Sequence, residues 1–312
     1  MRKIEDSQFM QLDDIAINSR VEHIANIFPT DEFLSRVSYL HQNGPNHGAF
    51  KPFWDKWGDK FLLRPKELTI VFGSRGSYKS TVVNYLVADY IMQDAGKVGL
   101  ISYEMEAEYL LLLLIEQMAN SNSFTDQFMD KAMAFAKDKL LMIDEMVDSP
   151  HAAIAKVHAM LNAGCKLVVL DCLQRVNMPG NNIDLEREFV VQVTNLVREF
   201  NAHCIIVHHS RKGSHHDGDN PMPVVDDLKG SGGLADNAHN VVAVWSNKKK
   251  KDLQIDVTNG HIPNEEEAEL LEMPDVILDI KKQRKHFFEG RIGLWRTEAR
   301  AFHLKGQRIK TL

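Results

Sequence analysis

Cysteine and long hydrophobic runs are both scarce in this sequence of 312 residues. The three cysteines, Cys165, Cys172 and Cys204, lie in or beside apolar runs and form no C-x-x-C pattern. A disulfide scaffold and a cysteine-based zinc module are therefore excluded, and we expect reduced cysteines in a core. The longest apolar run, 109–115, is too short to cross a bilayer, and the first twenty residues contain no secretory signal. The sequence predicts a cytoplasmic protein with no membrane partner.

Excess positive charge is also absent. Lys and Arg total 37 against 43 Asp and Glu, which gives a formal net charge of -6. A polycation that coats nucleic acid is excluded, and any nucleic-acid binding must be local. The hydrophobic share of 44% and the charged share of 26% are typical of a soluble globular chain with a sizeable core.

Residues 1–60 differ in pattern from the rest of the chain. Apolar positions at helical spacing predict one or two amphipathic helices, ended by the Asn-Gly-Pro breaker at 43–45. The aromatic stretch at 50–58 predicts either the edge of a core or a surface that docks on a neighbouring subunit. We therefore divide the chain into an N-terminal helical arm or linker, 1–60, and a main domain, 61–312.

The main domain alternates short apolar strands with helical stretches, which predicts an α/β fold with a doubly wound, mostly parallel sheet. Strands are predicted at 68–72, 98–103, 140–143, 167–170, 204–207, 241–245 and 276–280, and helices at 79–94, 106–120, 125–137, 150–163 and 185–201. Residues 247–275 run from four lysines to three glutamates and predict a solvated hairpin or insertion.

The strongest motif directly follows a predicted strand and begins a predicted helix. It matches G-x-x-x-x-G-K-[ST], in which backbone N–H groups cradle phosphates, the lysine reaches the β/γ oxygens and the hydroxyl holds Mg²⁺. Lys79 and Ser80 fit the last two roles, and ATP or another NTP with Mg²⁺ is the predicted cofactor. Tyr78 departs from the pattern, which has glycine there, so its side chain must point away from the phosphates. The motif residues are Gly73, Ser74, Arg75, Gly76, Ser77, Tyr78, Lys79, Ser80 and Thr81.

Two carboxylates follow other strands. Asp171 ends an apolar strand, the arrangement that places an Asp beside a P-loop to hold Mg²⁺ through water. Glu104 either orients the attacking water or is a helix N-terminal acid, and the residues alone favour the second interpretation. The histidines at 208, 209, 215 and 216 predict no metal site, because no Cys or carboxylate framework accompanies them in the sequence.

Several further segments occur in the order seen in ring-forming replicative helicases. They are Ser-Tyr-Glu-Met at 102–105, the Asp171 strand, 205–212, 227–232, and 281–284 with 289–293. Over about residues 60–305 the chain resembles the DnaB-type and phage primase-helicase family of superfamily 4, which has a RecA-like P-loop NTPase core. The two histidines at 208–209 with the basic pair after them also resemble RepA-like plasmid helicases. The resemblance implies a phage or plasmid replicon, in a bacterial or host cytoplasm.

The resemblance also implies roles for individual residues. Glu104 would be the catalytic glutamate, and His209 the γ-phosphate sensor. Arg284, with Lys282 beside it, would reach the ATP of the next subunit as an arginine finger. Two loops, after the Asp171 and His209 strands, would grip single-stranded DNA through its phosphates. Their candidate residues are Arg175, Arg211, Lys212, Lys229, Gly230 and Ser231.

The expected function is that of an ATP-dependent replicative DNA helicase that translocates on single-stranded DNA. ATP would be hydrolysed at the subunit interfaces of a hexameric ring, and a separate primase, polymerase or loader would be a further partner. Two alternatives stay open: a RecA-like recombination or repair ATPase, and a catalytically inactive P-loop loader or scaffold in which Tyr78 blocks the phosphates.

Overall fold

The computed structural model describes residues 30–54, 58–145, 148–176, 183–210, 221–228 and 232–312. The chain divides into two units, 1–47 and 48–312. In the described part of the smaller unit, a 3-10 turn, Thr30–Phe33, leads into helix α1, Leu34–Asn43. This helix ends where predicted, because Gly44 adopts φ 80 and its N–H donates to the carbonyl of Leu40. The helix predicted further upstream lies outside the described residues.

The larger unit is built on a nine-stranded sheet with the order β3-β2-β4-β5-β1-β6-β7-β8-β9. Strands β1 to β6 are parallel where they pair, and the pairs from β6 to β9 are antiparallel. The strands are β1 Glu67–Gly73, β2 Lys97–Ser102, β3 Leu140–Asp144, β4 Cys165–Asp171, β5 His203–His209, β6 Asn240–Ser246, β7 Val276–Gln283, β8 Gly290–Arg296 and β9 Phe302–His303. Every predicted strand is confirmed, whereas β8 and β9 were not predicted.

Helices cover both faces of the sheet. They are α2 Lys79–Met92, α3 Ala107–Ala119, α4 Asp126–Ala136, α5 Pro150–Asn162, α6 Ile183–Glu199, α7 Gly232–Asn237, α8 Lys248–Thr258 and α9 Glu265–Glu272. Within β1, Val71 contributes to one core with α2, α3 and α4, whereas its neighbours Ile70 and Phe72 contribute to the other with α5, α6 and α7. Alternate residues of a strand face opposite sides of a sheet, so the doubly wound α/β prediction is confirmed.

The charged segment 247–275 forms two helices, α8 and α9, rather than an extended hairpin. Asn264 and Glu267 form a capping box that starts α9. Not all of the lysine run is solvated: Lys250 is buried, pairs with Asp275 at 2.9 Å and donates to the carbonyl of Met273 at 2.7 Å. The run therefore anchors the insertion to the strand that follows it.

The aromatic segment after residue 48 belongs to the core. Phe50 and Trp54 are buried, and the Phe50 ring lies 4.7 Å from the ring of Tyr90. The Trp54 indole N–H donates to the carbonyl of Phe302 at 3.2 Å. The core-edge interpretation therefore holds for these two residues, and the division of the chain at residue 60 stays a prediction.

All three cysteines are free and buried, as predicted. Among the described helices, none is long and apolar enough to span a membrane.

Candidate nucleotide and hydrolysis site

The residues predicted to bind nucleotide and activate water gather at one edge of the sheet because four parallel strands end there. Gly73, the last residue of β1, pairs in register with His209, the last residue of β5. Ser102, the last residue of β2, pairs with Asp171, the last residue of β4. Parallel strands bring their carboxyl ends to a common edge, where ligands of such sheets bind. The P-loop, Glu104, Asp171 and His209 therefore face one cleft.

The P-loop has the backbone that the motif requires. A Cβ on Gly73 would lie 2.3 Å from the carbonyl oxygen of Val244 in β6, so the strand end tolerates only glycine. Gly76 has φ 73, in the left-handed region. Lys79 begins α2, and its ammonium donates to the carbonyl of Ser74 at 2.8 Å. The lysine thus lies over the loop whose amides would hold phosphate.

Tyr78 is accommodated by contacts on the far side of the P-loop. Its backbone is left-handed, φ 67 and ψ 21, a conformation that disfavours side chains by about 1–2 kcal/mol. The Arg296 guanidinium lies 5.0 Å and the Lys251 ammonium 5.9 Å from the centre of its ring, and such cation–π contacts are attractive. These residues come from β8 and α8, on the opposite side of β1 from β4 and β2, so the ring points away from the carboxylates.

Glu104 has two side-chain partners on the neighbouring strand ends. His209 Nε2 lies 2.9 Å from its Oε1, and the Cys172 thiol donates to the same oxygen at 3.3 Å. Burial acts to raise the pKa of Glu104, but the hydrogen bonds from His209 and Cys172 and the charge of Lys79 outweigh it and lower that pKa. Glu104 is therefore a carboxylate at neutral pH. Helix α3 begins only at Ala107, so the geometry favours the water-orienting interpretation over the helix-cap one.

Asp171 is buried beside Ser80. Burial, together with the charge of Glu104, raises the pKa of Asp171 to about 6, although the nearby Ser80 hydroxyl and Lys79 act to lower it. Its Oδ1 is buried with no hydrogen-bond partner among the described residues. A buried carboxylate oxygen without a donor costs free energy unless a cation meets it. A hydroxyl and a carboxylate are ligands that Mg²⁺ accepts, so Ser80 and Asp171 fit the predicted metal.

Gln174 is a residue whose contacts the sequence did not reveal. It lies in the 3-10 turn Leu173–Arg175 after β4. Its Nε2 is 2.8 Å from His208 Nδ1 and donates to the carbonyl of His209 at 3.2 Å. Burial lowers the pKa of His208 to about 4, so this histidine is neutral. One of the two predicted DNA loops therefore begins in contact with the predicted phosphate sensor.

A second network, also without a sequence signal, fixes the backbone before Glu104. The Tyr103 N–H donates to the carbonyl of Asp171 at 2.6 Å, and the Tyr103 hydroxyl donates to Asp148 at 3.1 Å. Asp148 in turn pairs with Lys156 of α5 at 2.5 Å. The loop that bears Glu104 is thus tied to β4 on one side and to α5 on the other.

Comparison with known proteins identifies the family. The AAA domain family model (AAA_25) matches residues 51–215, more than half of the chain. The chain belongs to the AAA domain family. Membership implies that the chain binds nucleotide. A search of the curated proteins finds no match to the chain.

Two solved structures share the fold of this AAA domain chain. The first, described as an ATPase domain, superposes with a TM-score of 0.67 at 16% identity, over 88% of this chain and 98% of that one. "The Structure Of A DnaB-Like Replicative Helicase And Its Interactions With Primase" gives a TM-score of 0.64 at 15% identity, over 96% of this chain and 77% of that one. The predicted RecA-like core, similar to that of ring-forming helicases, is confirmed at the level of the fold.

Arg284 and Lys282 of the AAA domain chain lie at the opposite edge of the sheet from the P-loop. Strand β7 runs antiparallel to β6, so Gln283 pairs with Asn240, the first residue of β6. Arg284 is therefore displaced from its own P-loop by about 20 Å along the strands. Its guanidinium donates to the carbonyl of Asp236, and the Lys282 ammonium to that of Ala235 at 2.6 Å. Burial and the charge of Arg284 lower the pKa of Lys282.

The predicted DNA-binding residues are only partly within the described part of the chain. Arg175 is exposed at the end of the 3-10 turn after β4. Arg211, Lys212, Lys229, Gly230 and Ser231 lie outside the described residues, as do His215 and His216. Their roles stay predictions.

Proposed function

We propose that this chain is an NTP-hydrolysing DNA helicase that acts as a ring and translocates on single-stranded DNA. The observation that carries the proposal is the contact between Glu104 and His209 at the edge where the P-loop and Asp171 also lie. A carboxylate beside an imidazole at this edge suits a site that activates water and responds to the γ-phosphate. The two structural neighbours, an ATPase domain and a DnaB-like replicative helicase, support the same class of activity.

Phosphate binding is assigned to the loop from Gly73 to Thr81 and to the amino end of α2. Lys79 exchanges the carbonyl of Ser74 for phosphate oxygens when nucleotide binds. Burial lowers the pKa of Lys79, while the charges of Asp171 and Glu104 act in the opposite direction. Ser80 and Asp171 would hold Mg²⁺, which, when bound, neutralises charge on the β- and γ-phosphate oxygens.

Glu104 is the proposed general base. Its lowered pKa keeps it ionised, so that it can orient a water for in-line attack on the γ-phosphate and accept a proton from it. The hydrogen bonds from His209 and Cys172 occupy Oε1 and leave Oε2 for the water. The imidazole of His209 thus contacts the water-activating carboxylate. Its backbone carbonyl accepts a hydrogen bond from Gln174 of the first proposed DNA loop.

Arg284 is the proposed finger for the ATP of a neighbouring copy, with Lys282 beside it. The distance along the sheet between Arg284 and its own P-loop supports a role in trans rather than in cis. A guanidinium supplied in this way stabilises charge that develops on the transferred phosphoryl group. The proposed assembly is a hexamer, in which a few Lys and Arg residues of each copy, Arg175 among them, surround one strand of DNA. A primase is a proposed partner, because the DnaB-like neighbour is described with its primase interactions.

Displacement of a labelled strand from a forked duplex tests the function. We expect ATP-dependent displacement by the wild-type chain and none by Lys79→Ala, which lacks the phosphate-binding cation. ATP turnover that single-stranded DNA stimulates, without displacement, would favour the recombination or repair ATPase. No turnover by the wild-type chain would favour the inactive loader or scaffold.

A further inference from the structure

Three different metal-binding side chains converge beside the P-loop. The ligand atoms of Glu104, Cys172 and His209 all lie within 4.8 Å of one another. The Glu104 oxygen is 3.3 Å from the Cys172 sulfur and 2.9 Å from the His209 Nε2. A carboxylate, a thiol and an imidazole on three neighbouring strand ends form a ligand set that suits Zn²⁺ rather than Mg²⁺.

We propose that Glu104, Cys172 and His209 form a binding site for a thiophilic divalent metal ion. The physiological ion of this class would be Zn²⁺. The bound ion would inhibit hydrolysis, because it would coordinate the carboxylate that activates water. Metal binding rests on the geometry alone, whereas the inhibitory effect rests on the proposed function. The site is distinct from that of Mg²⁺ at Ser80 and Asp171, because Mg²⁺ takes oxygen ligands and a thiolate does not suit it.

Two of the three separations between ligand atoms require only a small adjustment, and the third, between the Cys172 sulfur and a His209 ring nitrogen, lies within 4.8 Å. Zinc lies about 2.3 Å from a thiolate sulfur and about 2.0 Å from an imidazole nitrogen or a carboxylate oxygen. Two ligand atoms of a tetrahedral site are then about 3.3–3.6 Å apart. The observed oxygen–sulfur separation already has this value, and the oxygen–nitrogen separation must widen by a few tenths of an ångström. The three ligand side chains follow or end buried strands, so their backbones are held in place without the metal.

The exposure of the three residues permits entry of an ion. Cys172 is buried, while Glu104 and His209 are partly exposed in the cleft. The ion would therefore enter from the cleft side, with Cys172 as its deepest ligand and a water or a phosphate oxygen in the fourth position. Binding exchanges the proton of the Cys172 thiol for the metal, and the proton passes to solvent.

Cobalt binding tests the site without reference to hydrolysis. We expect the nucleotide-free chain to bind about one Co²⁺ with a sulfur-to-metal charge-transfer absorption, since Co²⁺ occupies tetrahedral zinc sites and reports a thiolate ligand. Cys172→Ser should abolish the absorption, and Glu104→Gln should weaken Co²⁺ binding by about tenfold or more. Cys165→Ser is the matched control, because Cys165 is also buried but begins β4, about 20 Å from Cys172.

The outcomes separate this proposal from the proposed function. If the wild-type chain shows no thiolate absorption, or if the absorption persists in Cys172→Ser, the metal site is refuted even if ATP is hydrolysed. If Cys172→Ser does not fold, Glu104→Gln and His209→Gln test the metal site in its place. Undiminished absorption and Co²⁺ affinity in both variants would also refute the site. If the absorption is present but no variant or wild type hydrolyses ATP, the metal site stands and the proposed function fails.

Inhibition provides the second readout. With Mg²⁺ in excess, Zn²⁺ should inhibit ATP turnover by the wild-type chain, and a chelator should restore it. Each variant is compared with its own zinc-free rate, and Cys172→Ser should need at least about ten times more Zn²⁺ for half-inhibition because one of three ligands is lost. Equal sensitivity of Cys172→Ser and wild type would mean that Zn²⁺ acts elsewhere and would overturn the inhibitory role.

Discussion

Glu104 and His209 are 105 positions apart in the chain, yet His209 Nε2 lies 2.9 Å from Glu104 Oε1. The contact exists because β2 and β5 flank β4 in the sheet and all three strands end at the same edge. It joins the residue proposed to activate water to the residue proposed to sense phosphate. The predictions below follow from this contact and from its surroundings.

Glu104→Gln should lower ATP turnover by at least about 100-fold, because the amide cannot accept the proton of the attacking water. Nucleotide affinity should change little, since Lys79 and the loop amides are unaltered. Turnover and the binding of a fluorescent ATP analogue measure the two effects. Glu106→Gln is the matched control, because Glu106 is exposed two residues further along the chain. A Glu104→Gln variant with near wild-type turnover would assign the water-activating role to another residue.

Tyr78→Gly should leave ATP turnover within about threefold of wild type. Glycine removes the free-energy cost of the left-handed backbone, and this gain roughly offsets the loss of the contacts with Arg296 and Lys251, so the P-loop should keep its conformation. Steady-state kinetics in parallel with Lys79→Ala measure it. Activation by more than about tenfold would mean that the ring obstructs phosphate, as the inactive P-loop alternative requires.

Gln174→Ala should reduce the stimulation of ATP turnover by single-stranded DNA by about threefold or more, a size typical of coupling between sites. The reason is the loss of the link from the turn after β4 to His208 and His209. Turnover with and without oligo-dT gives the ratio. Gln192→Ala serves as the control. Within the described part of the chain, the side chain of Gln192 forms a hydrogen bond only with Glu188 of the same helix. An unchanged ratio in Gln174→Ala would remove this route of coupling.

His203 should make the fold less stable in acid. Burial lowers its pKa to about 4 from 6.5, and its ring nitrogens are bonded to Arg64 and Thr69. As pH falls, His203 is therefore protonated in the unfolded chain before it is protonated in the folded chain. Its contribution to the free energy of unfolding is fully present above pH 6.5 and is lost as pH falls towards 4. The loss from this group is about 3 kcal/mol.

Urea unfolding at several pH values compares His203→Gln with wild type. The variant should lose less stability than wild type between pH 6.5 and 4. Equal slopes for His203→Gln and wild type would show that His203 does not contribute to the acid sensitivity.

The sequence predicted most of the sheet because parallel strands that are buried on both faces are continuous apolar runs. Strands β4 and β5 are of this kind. Strand β8 escaped prediction because it contains two glycines and is only half-buried, and β9 has two residues. The P-loop and Asp171 were predicted from motif and strand position, whereas the roles of Glu104 and His209 came from the resemblance to ring-forming helicases, and all of these roles stay predictions.

The remaining parts of the site could not be predicted because they depend on contacts between distant side chains. Cys172 was expected only to be a core cysteine, yet its thiol reaches Glu104 across 68 positions. Gln174 and His208 are 34 positions apart and meet only because β4 and β5 are neighbours. The histidine pair gave no metal prediction because its carboxylate and sulfur partners come from elsewhere in the chain.

Mixing two inactive variants tests most directly whether nucleotide is hydrolysed between copies of this chain. Lys79→Ala lacks the phosphate-binding lysine but keeps Arg284, and Arg284→Ala lacks the finger, which is worth about 10³–10⁵ in rate, but keeps the P-loop. In an equal mixture, about a quarter of the interfaces combine an intact P-loop with an intact finger. The account predicts that each variant alone is inactive and that the mixture recovers up to about a quarter of the wild-type ATP turnover. A mixture no more active than its components, or full turnover by a strictly monomeric wild-type chain, would contradict it.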